Sequence, residues 1–396
     1  MIEFDGKGID KIHWGKDNIE AVYKGESLIW PPVYIEDRYA KFIFNQNVKP
    51  EDACENVEDN DMIGYIAQNT KTYLGKSMPD GTVTVIPLAT IVNLEKGYVD
   101  TVNSFDSDGN PECKMGAGFD FNIYYDIDGK YTKSIYGTNS KIDFLVQIPK
   151  IYFLCKTLEE DRFEITMSTY PFVGAHELYG KDRLIGKFSG EWVGNKWWAD
   201  INNSNPCTFS EAKQFVLNKG TGWYPMYTEE MGLLMMMDIC LSGVNGNVLT
   251  HGFSPFGISN IFCNGNGRMY PPNLVIDPET NVATVYHLDG NIEYFDVPKI
   301  WNGYFNKLYW GEYLTILPKS AGAKNEFYQD SICWIGNNKG IGIYTPSGQY
   351  SWSIAGDRDD SDATSDSGVR LRCRACYYGN YTVTKDIEYF ESLPIL

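Results

Sequence analysis

Short alternating apolar and polar runs open the chain and predict three β-strands. The runs are Ile9–Trp14, Ile19–Tyr23 and Ser27–Trp30. Turn-forming residues at 15–18 and 24–26 separate them, and Pro31 and Pro32 end the segment because proline has no N–H for a sheet. So small a sheet is only marginally stable alone. Residues 1–32 are therefore predicted to be a β-module that docks on another protein or on copies of itself.

Further apolar runs predict strands in the next part of the chain. Thr82–Ile86 reads as a strand, and Phe121–Tyr125 reads as another that ends in the turn Asp126–Gly129. The longest predicted strand is Phe144–Leu154, in which Pro149 implies a bulge or a sheet edge. Before these last residues, the mixed pattern of residues 33–130 predicts a region that connects the opening β-module to the rest of the chain.

Helical signals occur at three places. Pro50–Glu55 is compatible with a short helix, and Thr208–Glu211 matches a capping box that opens a helix ending near Gly220. Another helix is predicted from Thr228 to about Gly243, with acidic residues in its first turn. Its Met-rich centre predicts burial, although such faces also occur in binding grooves. After Gly243 no further helix is predicted, and a helix pair followed by a long region of loops and short strands is α+β in class.

Composition narrows the classes of function. The net charge is −18, with 52 acidic against 34 basic residues and no basic cluster, which argues against nucleic-acid binding. No signal peptide or membrane-spanning run is evident. The 28 Tyr, 20 Phe and 10 Trp suit either β-cores or sugar recognition, because rings stack on pyranose faces. Nine scattered cysteines indicate reduced thiols and assembly in a bacterial cytoplasm, and Cys155 and Cys240 are predicted to be buried.

The order of several segments resembles the C-type-lectin-like modules at the ends of phage and prophage tail-fibre proteins, which include the variable adhesins of retroelements. The matching segments are Val146–Tyr152, Ile165–Ser168, Gly174–Glu177, Ile185–Phe188, Gly220–Trp223 and Gly368–Cys373. The opening segment is similar to N-terminal β-modules of other phage structural proteins. The resemblance implies a lectin-like domain over residues 131–396, with two helices and a twisted antiparallel sheet. The short Glu-Pro-Asn and Trp-Asn-Asp motifs of calcium-dependent lectins are not in the sequence.

The resemblance also implies a ligand-binding surface before the closing strand. Its candidate residues combine aromatic rings, amides and charges. They are Trp334, Asn337, Asn338, Tyr344, Tyr350, Trp352, Asp357 and Arg358. The alternative for Trp334 and Trp352 is a place in the core.

Three other groups of residues have the composition of metal or catalytic sites, but each also has a structural explanation. The Asp-rich stretch Asp357–Asp366 and the turn Asp106–Asn110 are compatible with calcium, but a solvated loop and ordinary turn chemistry explain them as well. Cys373 and Cys376 have C-x-x-C spacing without a second pair, which favours a structural role. His13, His176, His251 and His287 are dispersed, and no catalytic motif surrounds them. No catalytic residue, metal ligand or cofactor is therefore predicted.

The sequence leads to one main hypothesis and two alternatives. The main hypothesis is a bacteriophage virion protein, a tail-fibre or receptor-binding adhesin that recognises a glycan or protein on the host surface. It would contact other virion proteins through residues 1–32 and form a homo-oligomer, with a trimer favoured. One alternative is a purely architectural tail, baseplate or head-fibre protein. The other is a capsule depolymerase, which needs only two suitably spaced carboxylates.

Overall fold

The structure of the chain is a computed structural model. It describes residues 13–14, 17–18, 22–24, 27–30, 38–48, 52–78, 82–93, 98–112, 123–129, 132–134, 142–178, 184–186, 191–199, 207–220, 222–230, 232, 268–269, 271–277, 279–287, 289–298, 304–322, 342–344, 353–355, 367–368, 371–373 and 381–394.

The described residues of the opening segment form two antiparallel strand pairs. They are β1 (His13–Trp14) with β2 (Asp17–Asn18), and β3 (Val22–Lys24) with β4 (Ser27–Trp30). The predicted strand Ser27–Trp30 is confirmed, and in the turn predicted over residues 24–26 Lys24 already belongs to β3 while residues 25–26 lie outside the described part. The turn predicted over residues 15–18 was too long, because Asp17 and Asn18 already pair with Trp14 and His13.

The largest sheet has seven strands and draws them from distant parts of the chain. In spatial order they are β22 (Trp223–Pro225), β32 (Leu371–Cys373), β19 (Leu184–Gly186), β15 (Asp143–Gln147), β7 (Lys71–Ser77), β8 (Val83–Leu88) and β33 (Tyr381–Val383). All neighbours are antiparallel except β8 and β33, which run parallel. The strand predicted at Thr82–Ile86 is confirmed as β8.

A five-stranded antiparallel sheet forms the second large layer. Its order is β18 (His176–Leu178), β16 (Ile151–Glu159), β17 (Arg162–Ser168), β5 (Tyr39–Asn45) and β6 (Cys54–Asp59). The edge strand β6 is exposed from Glu55 to Asp59 and carries three acidic side chains. Charges on an edge strand disfavour pairing with another chain.

The remaining strands form smaller sheets. A three-stranded antiparallel sheet comprises β24 (Leu274–Ile276), β25 (Val282–Tyr286) and β26 (Ile292–Asp296), and β27 (Tyr304–Trp310) pairs with β28 (Ile316–Gly322). The other pairs are β9 (Thr90–Asn93) with β10 (Tyr98–Thr101), β11 (Ser104–Phe105) with β12 (Pro111–Glu112), β13 (Ile123–Tyr125) with β14 (Thr132–Ser134), β20 (Glu191–Val193) with β21 (Lys196–Trp198), β23 (Arg268–Met269) with β31 (Ser367–Gly368), and β29 (Gly342–Tyr344) with β30 (Ser353–Ala355).

Helices are few. They are α1 (Met62–Asn69), α2 (Phe209–Leu217) and α3 (Ile387–Ser392), and helical backbone also begins at Thr228. The predicted capping box of α2 is confirmed, since the Glu211 N–H donates to the Thr208 hydroxyl at 3.1 Å and the Thr208 N–H donates to the Glu211 carboxylate at 2.8 Å. The start predicted at Thr228 is confirmed, whereas residues 233–243 lie outside the described part.

Two helix predictions were wrong. At the end of the predicted Pro50–Glu55 segment, Cys54 and Glu55 begin the strand β6, because their backbone pairs with β5. The end of the chain does contain a helix, α3, whose first turn is capped by the Asp386 carboxylate accepting from the Tyr389 N–H at 3.0 Å. In the described residues no helix has both the length and the apolar character needed to cross a membrane.

Pro149 changes the path of the chain where one long strand was predicted. Instead of a single Phe144–Leu154 strand, β15 lies in the seven-stranded sheet and β16 lies in the five-stranded sheet. Proline cannot donate to a ladder, so the pairing ends before it and resumes in a different sheet. Residues 148–150 thus connect the two large layers.

The seven-stranded sheet is covered on both faces. On one face Tyr73, Val83 and Leu145 pack with Ala212 and Val216 of α2. On the other, the side chains of Leu74, Ile86, Leu88 and Phe144 pack with Phe390 and Leu393 at the C-terminal helix. A third cluster joins the five-stranded sheet, α1, the three-stranded sheet and the β27–β28 hairpin.

The architecture is mixed, with sheets dominant and few helices, which agrees with the predicted α+β class at that level. Both large sheets combine strands from before and after residue 130, since β7 pairs with β15 and β5 pairs with β17. The division predicted at residue 130 therefore does not separate two sheets.

Candidate functional site

Most of the predicted ligand-binding surface lies outside the described residues. This is true of Trp334, Asn337, Asn338, Tyr350, Trp352, Asp357 and Arg358. Tyr344 is the last residue of β29, and its backbone pairs with Ser353 of β30. The hairpin β29–β30 therefore lies within the predicted surface, and the assignment of ligand contacts to these side chains stays a prediction.

The two acidic stretches differ in what the structure describes. Asp357–Asp366 lies outside the described residues. At the other, the Asp106 carboxylate accepts from the N–H groups of Asp108 and Asn110 at 2.9 and 2.8 Å, and also from the Asn110 amide. These hydrogen bonds lower the pKa of Asp106, and ordinary turn chemistry accounts for the segment. In the described part of the chain, no group of three or more His, Cys, Asp or Glu side chains is arranged to hold a metal ion.

The described residues include some of the cysteines for which the sequence made a prediction. Cys155 is buried, as predicted, and burial raises the pKa of its thiol to about 12. Cys54, Cys155 and Cys207 are free thiols. Cys373 ends β32 opposite Leu184 and Trp223, while Cys240 and Cys376 lie outside the described residues.

A largely buried polar site surrounds the hairpin that joins β25 to β26. We call it the histidine–tyrosine cluster, and it is built from His176, Glu229, His287, Glu293 and Tyr313. His287 follows β25, Glu293 lies in β26, and Tyr313 lies in the turn between β27 and β28. Glu229 belongs to the helical turn that starts at Thr228, and His176 begins β18. The cluster thus joins five separate segments.

Local turns place these residues. The His287 N–H donates to the Asn291 carbonyl at 2.9 Å, and Gly290 donates to the His287 carbonyl with φ of 89°. A positive φ of this size favours glycine at the hairpin tip. In the second turn the Gly311 N–H donates to the Thr315 carbonyl at 2.8 Å. Both turns are therefore closed by backbone hydrogen bonds.

His287 lies between two carboxylates. Its Nε2 is 2.9 Å from Glu293 Oε2, and its Nδ1 is 3.7 Å from Glu229 Oε2, which is an electrostatic contact longer than a hydrogen bond. The His287 side chain is completely buried. Burial alone would lower its pKa, but the two carboxylates outweigh that effect and raise the pKa of His287 to about 9. His287 is therefore a buried imidazolium at neutral pH.

The carboxylates are themselves fixed by neutral donors. Glu229 accepts from the Asn273 amide at 2.9 Å and from the Thr228 hydroxyl at 3.1 Å. Burial alone would raise the pKa of Glu229, but the contact with His287, together with hydrogen bonds from its own backbone and from the Thr228 hydroxyl, lowers it. Glu293 accepts from the Thr315 hydroxyl at 2.9 Å. Both carboxylates therefore have polar partners besides the histidine.

Tyr313 is stacked between two histidine rings. Its ring centroid lies 3.9 Å from that of His287 and 3.8 Å from that of His176, with interplanar angles of 12° and 33°. The Tyr313 hydroxyl donates to Asp289 Oδ2 at 2.7 Å. Burial, together with this hydrogen bond, raises the pKa of Tyr313 to about 12. The phenol is thus a neutral donor that ties one turn to the other.

The histidine–tyrosine cluster holds the surrounding segments in place, and its central groups are not accessible to a ligand. The imidazole of His287 and the carboxylate of Glu229 are closed to solvent, with side-chain exposures of 0% and 4%. The exposed members of the neighbourhood are Asp289, Asn291 and Glu312 at the tips of the two turns. The cluster therefore holds the three-stranded sheet rigidly against the β27–β28 hairpin.

A second buried ion pair supports the seven-stranded sheet. Lys219 Nζ lies 2.8 Å from Asp143 Oδ2, and both side chains have 0% exposure. The ammonium also lies 3.6 Å from the ring centroid of Trp198 and 4.5 Å from that of Trp223. Burial raises the pKa of Asp143 against the opposing effect of Lys219. The pair fixes the end of α2 against the first residue of β15.

Sequence reasoning missed the histidine–tyrosine cluster. In the sequence His176 and His287 are dispersed histidines without a motif, and Glu229 was interpreted only as an acidic residue that favours the start of a helix. The residues extend from position 176 to position 313, and their spacing has no motif. Comparison with protein-family models, curated proteins and solved structures found no match for the chain.

Proposed function

We propose that this chain is a receptor-binding subunit of a bacteriophage virion, in which residues 131–396 contain a C-type-lectin-like domain. The proposal rests on the resemblance carried by the segments quoted above. In it the domain recognises a glycan or a protein on the bacterial surface, while residues 1–32 dock on other virion proteins.

The observation that supports the proposal most is the arrangement of those segments in space. Four of them contribute the adjacent strands β22, β32, β19 and β15, although they are far apart along the chain. The closing segment supplies β32, which pairs with β19 on one side and β22 on the other. In the sheet, β32 therefore lies between two strands that precede it along the chain. Loops beside such a strand can vary without disturbing the core.

Two further features are in keeping with this proposal. The helix α2 opens with a capping box and is followed by β22 and by the helical turn at Thr228, in the order that the resemblance implies. The net charge of −18 also suits a soluble particle component that does not bind nucleic acid.

Binding of the purified, fluorescently labelled chain to a panel of bacterial cells tests the proposal. We expect saturable binding to some strains and competition by surface polysaccharide or protein extracted from the same strains. Absence of binding to every strain, combined with immunogold labelling away from the fibre tips, would favour the architectural alternative.

A truncated chain that starts at Val33 tests the docking role separately. We expect this variant to fold and to bind cells but not to be incorporated into particles. Normal incorporation would show that residues 1–32 are not the docking module.

A further inference from the structure

The outer face of the three-stranded sheet carries an exposed row of aromatic and aliphatic side chains. We call this surface the tyrosine face. Its members alternate along β24, β25 and β26 with residues that are buried or half-buried. They are Val275, Val282, Thr284, Tyr286, Ile292, Tyr294 and Asp296, of which Val282 and Thr284 are half-buried and the others exposed. Tyr294 is 66% exposed and Tyr286 is 49% exposed. Tyrosine suits binding surfaces because its ring offers apolar area and its hydroxyl offers a hydrogen bond, so the two exposed tyrosines make this face a candidate binding surface.

The strand register brings these side chains together. Tyr286 lies directly opposite Ile292, and Thr284 lies opposite both Val275 and Tyr294. Cross-strand neighbours have Cβ atoms about 5 Å apart, and diagonal neighbours are about 7–8 Å apart. Tyr286 and Tyr294 are therefore diagonal neighbours on the same face of the sheet.

The tyrosine face is also rigid. The opposite face of the same strands contributes Leu274, Ala283 and Val285 to the largest hydrophobic cluster. The hairpin beyond Tyr286 is held by His287 and Glu293, whose side chains contact each other at 2.9 Å. A rigid aromatic surface loses little conformational entropy when a ligand binds.

The size of the face fits a small ligand rather than a second copy of the chain. Strands lie about 4.8 Å apart and rise about 3.4 Å per residue, so three strands of at most five residues cover on the order of 200 Å². A stable protein–protein interface buries about 800 Å² on each partner. The tyrosine face alone is therefore too small for a stable dimer.

The chemistry of the face indicates which small ligand fits. Two exposed tyrosine rings offer planes for the apolar faces of pyranose rings, and Thr284 and Asp296 on the same surface offer hydrogen-bonding groups for sugar hydroxyls. Asp296 and the overall charge of −18 disfavour uronic acids and other anionic sugars.

We propose that the tyrosine face binds two or three uncharged pyranose units of a bacterial surface polysaccharide. This inference rests on the proposed receptor-binding function and adds a ligand class and a second binding surface to it, apart from the predicted surface around β29–β30.

The test uses the full chain and three neutral trisaccharides, namely maltotriose, cellotriose and N,N′,N″-triacetylchitotriose, with trigalacturonate as the anionic comparison. Saturation-transfer NMR detects binding, and titration gives the affinity. We expect at least one neutral trisaccharide to bind and trigalacturonate not to bind. We further expect Tyr294→Ala and Tyr286→Ala each to weaken binding by at least about tenfold, which corresponds to about 1.4 kcal/mol.

Two variants serve as controls. Tyr294→Phe keeps the ring and should bind nearly as well as the parent, whereas equal losses for Tyr294→Phe and Tyr294→Ala would overturn the stacking proposal. Tyr389→Ala removes a tyrosine of similar exposure, 51%, from α3 and should leave binding unchanged.

The outcomes separate this inference from the proposed function. Binding to cells without binding to any of the three neutral trisaccharides overturns the inference and leaves the receptor-binding role in place. Loss of both overturns both. A change in oligomeric state in Tyr294→Ala, measured by sedimentation, would instead identify the face as a subunit contact and overturn the inference.

Discussion

The Nε2 atom of His287 lies 2.9 Å from Oε2 of Glu293, across the hairpin that joins β25 to β26. The contact lies on the inner side of the three-stranded sheet, since the outer side carries Tyr286 and Ile292. The contact therefore joins β25 to β26 on the side of the sheet opposite the tyrosine face.

This contact predicts a dependence of stability on pH. The pKa of His287 is raised to about 9 in the folded protein, above its ordinary value of 6.5. Its stabilising contribution is therefore fully present below pH 6.5 and is lost as the pH rises through about 9. The shift corresponds to on the order of 3 kcal/mol. Urea unfolding between pH 6 and 10 measures it.

The matched variant for this prediction is His287→Gln, which keeps a polar side chain and removes the titrating group. We expect the unfolding free energy of His287→Gln to change less between pH 6.5 and 9 than that of the parent chain. An equal slope in the two proteins would contradict the assignment to His287.

A second prediction concerns the space beside Glu293. A Cβ atom at Gly311 would lie 2.8 Å from both carboxylate oxygens of Glu293 and 2.9 Å from Phe295 Cζ. Glu293 cannot move away without weakening its contacts with His287 and Thr315. Gly311→Ala should therefore destabilise the fold by about 1–3 kcal/mol.

The same substitution should also reduce the pH dependence assigned to His287, because it displaces Glu293. Gly109→Ala is the comparison. Its φ of 82° makes alanine unfavourable, but nothing lies within 4 Å of the added Cβ. Gly109→Ala should lower stability and leave the slope between pH 6.5 and 9 unchanged, and an equal effect on the slope would argue against the geometry proposed for Gly311.

A third prediction concerns the buried pair of Lys219 and Asp143. Asp143→Ala removes the carboxylate that faces a fully buried ammonium, and such a change costs about 3–5 kcal/mol. The control is Glu177→Ala, because Glu177 lies 2.9 Å from Lys150 but both side chains are more than 40% exposed. An exposed pair contributes about 0–1 kcal/mol. Similar losses in the two variants, measured by denaturant unfolding, would contradict the distinction.

Local features of the fold followed from the sequence. The capping box at Thr208 and Glu211 involves residues three positions apart, and the turn at Asp126 is closed by the Gly129 N–H. The strand β8 is a run of β-branched and apolar residues. Each of these signals lies within one element, and each was predicted correctly.

Features that depend on distant partners did not follow from the sequence. Cys54–Asp59 has an acidic composition unlike that of a typical strand, and it becomes one because β5 supplies its hydrogen bonds. The helix α3 has six residues and is stabilised by burying Phe390 against the seven-stranded sheet. The histidine–tyrosine cluster combines rings and carboxylates from five segments. No periodic pattern in the sequence indicates that these residues lie close together.

The last prediction concerns the surface around β29–β30, where the sequence placed Asn337, Asn338 and Tyr350. Loops that carry binding residues tolerate substitution because they contribute little to the core. Individual sugar contacts are weak, and several copies on one particle would supply avidity. Replacing the three residues together by Ala should therefore abolish host adsorption and leave the melting temperature nearly unchanged. Adsorption assays and thermal unfolding of the same preparation measure both. Survival of adsorption, or unfolding of the variant, would assign these residues to the core or to subunit contacts, and the architectural alternative would then be favoured over the adhesin.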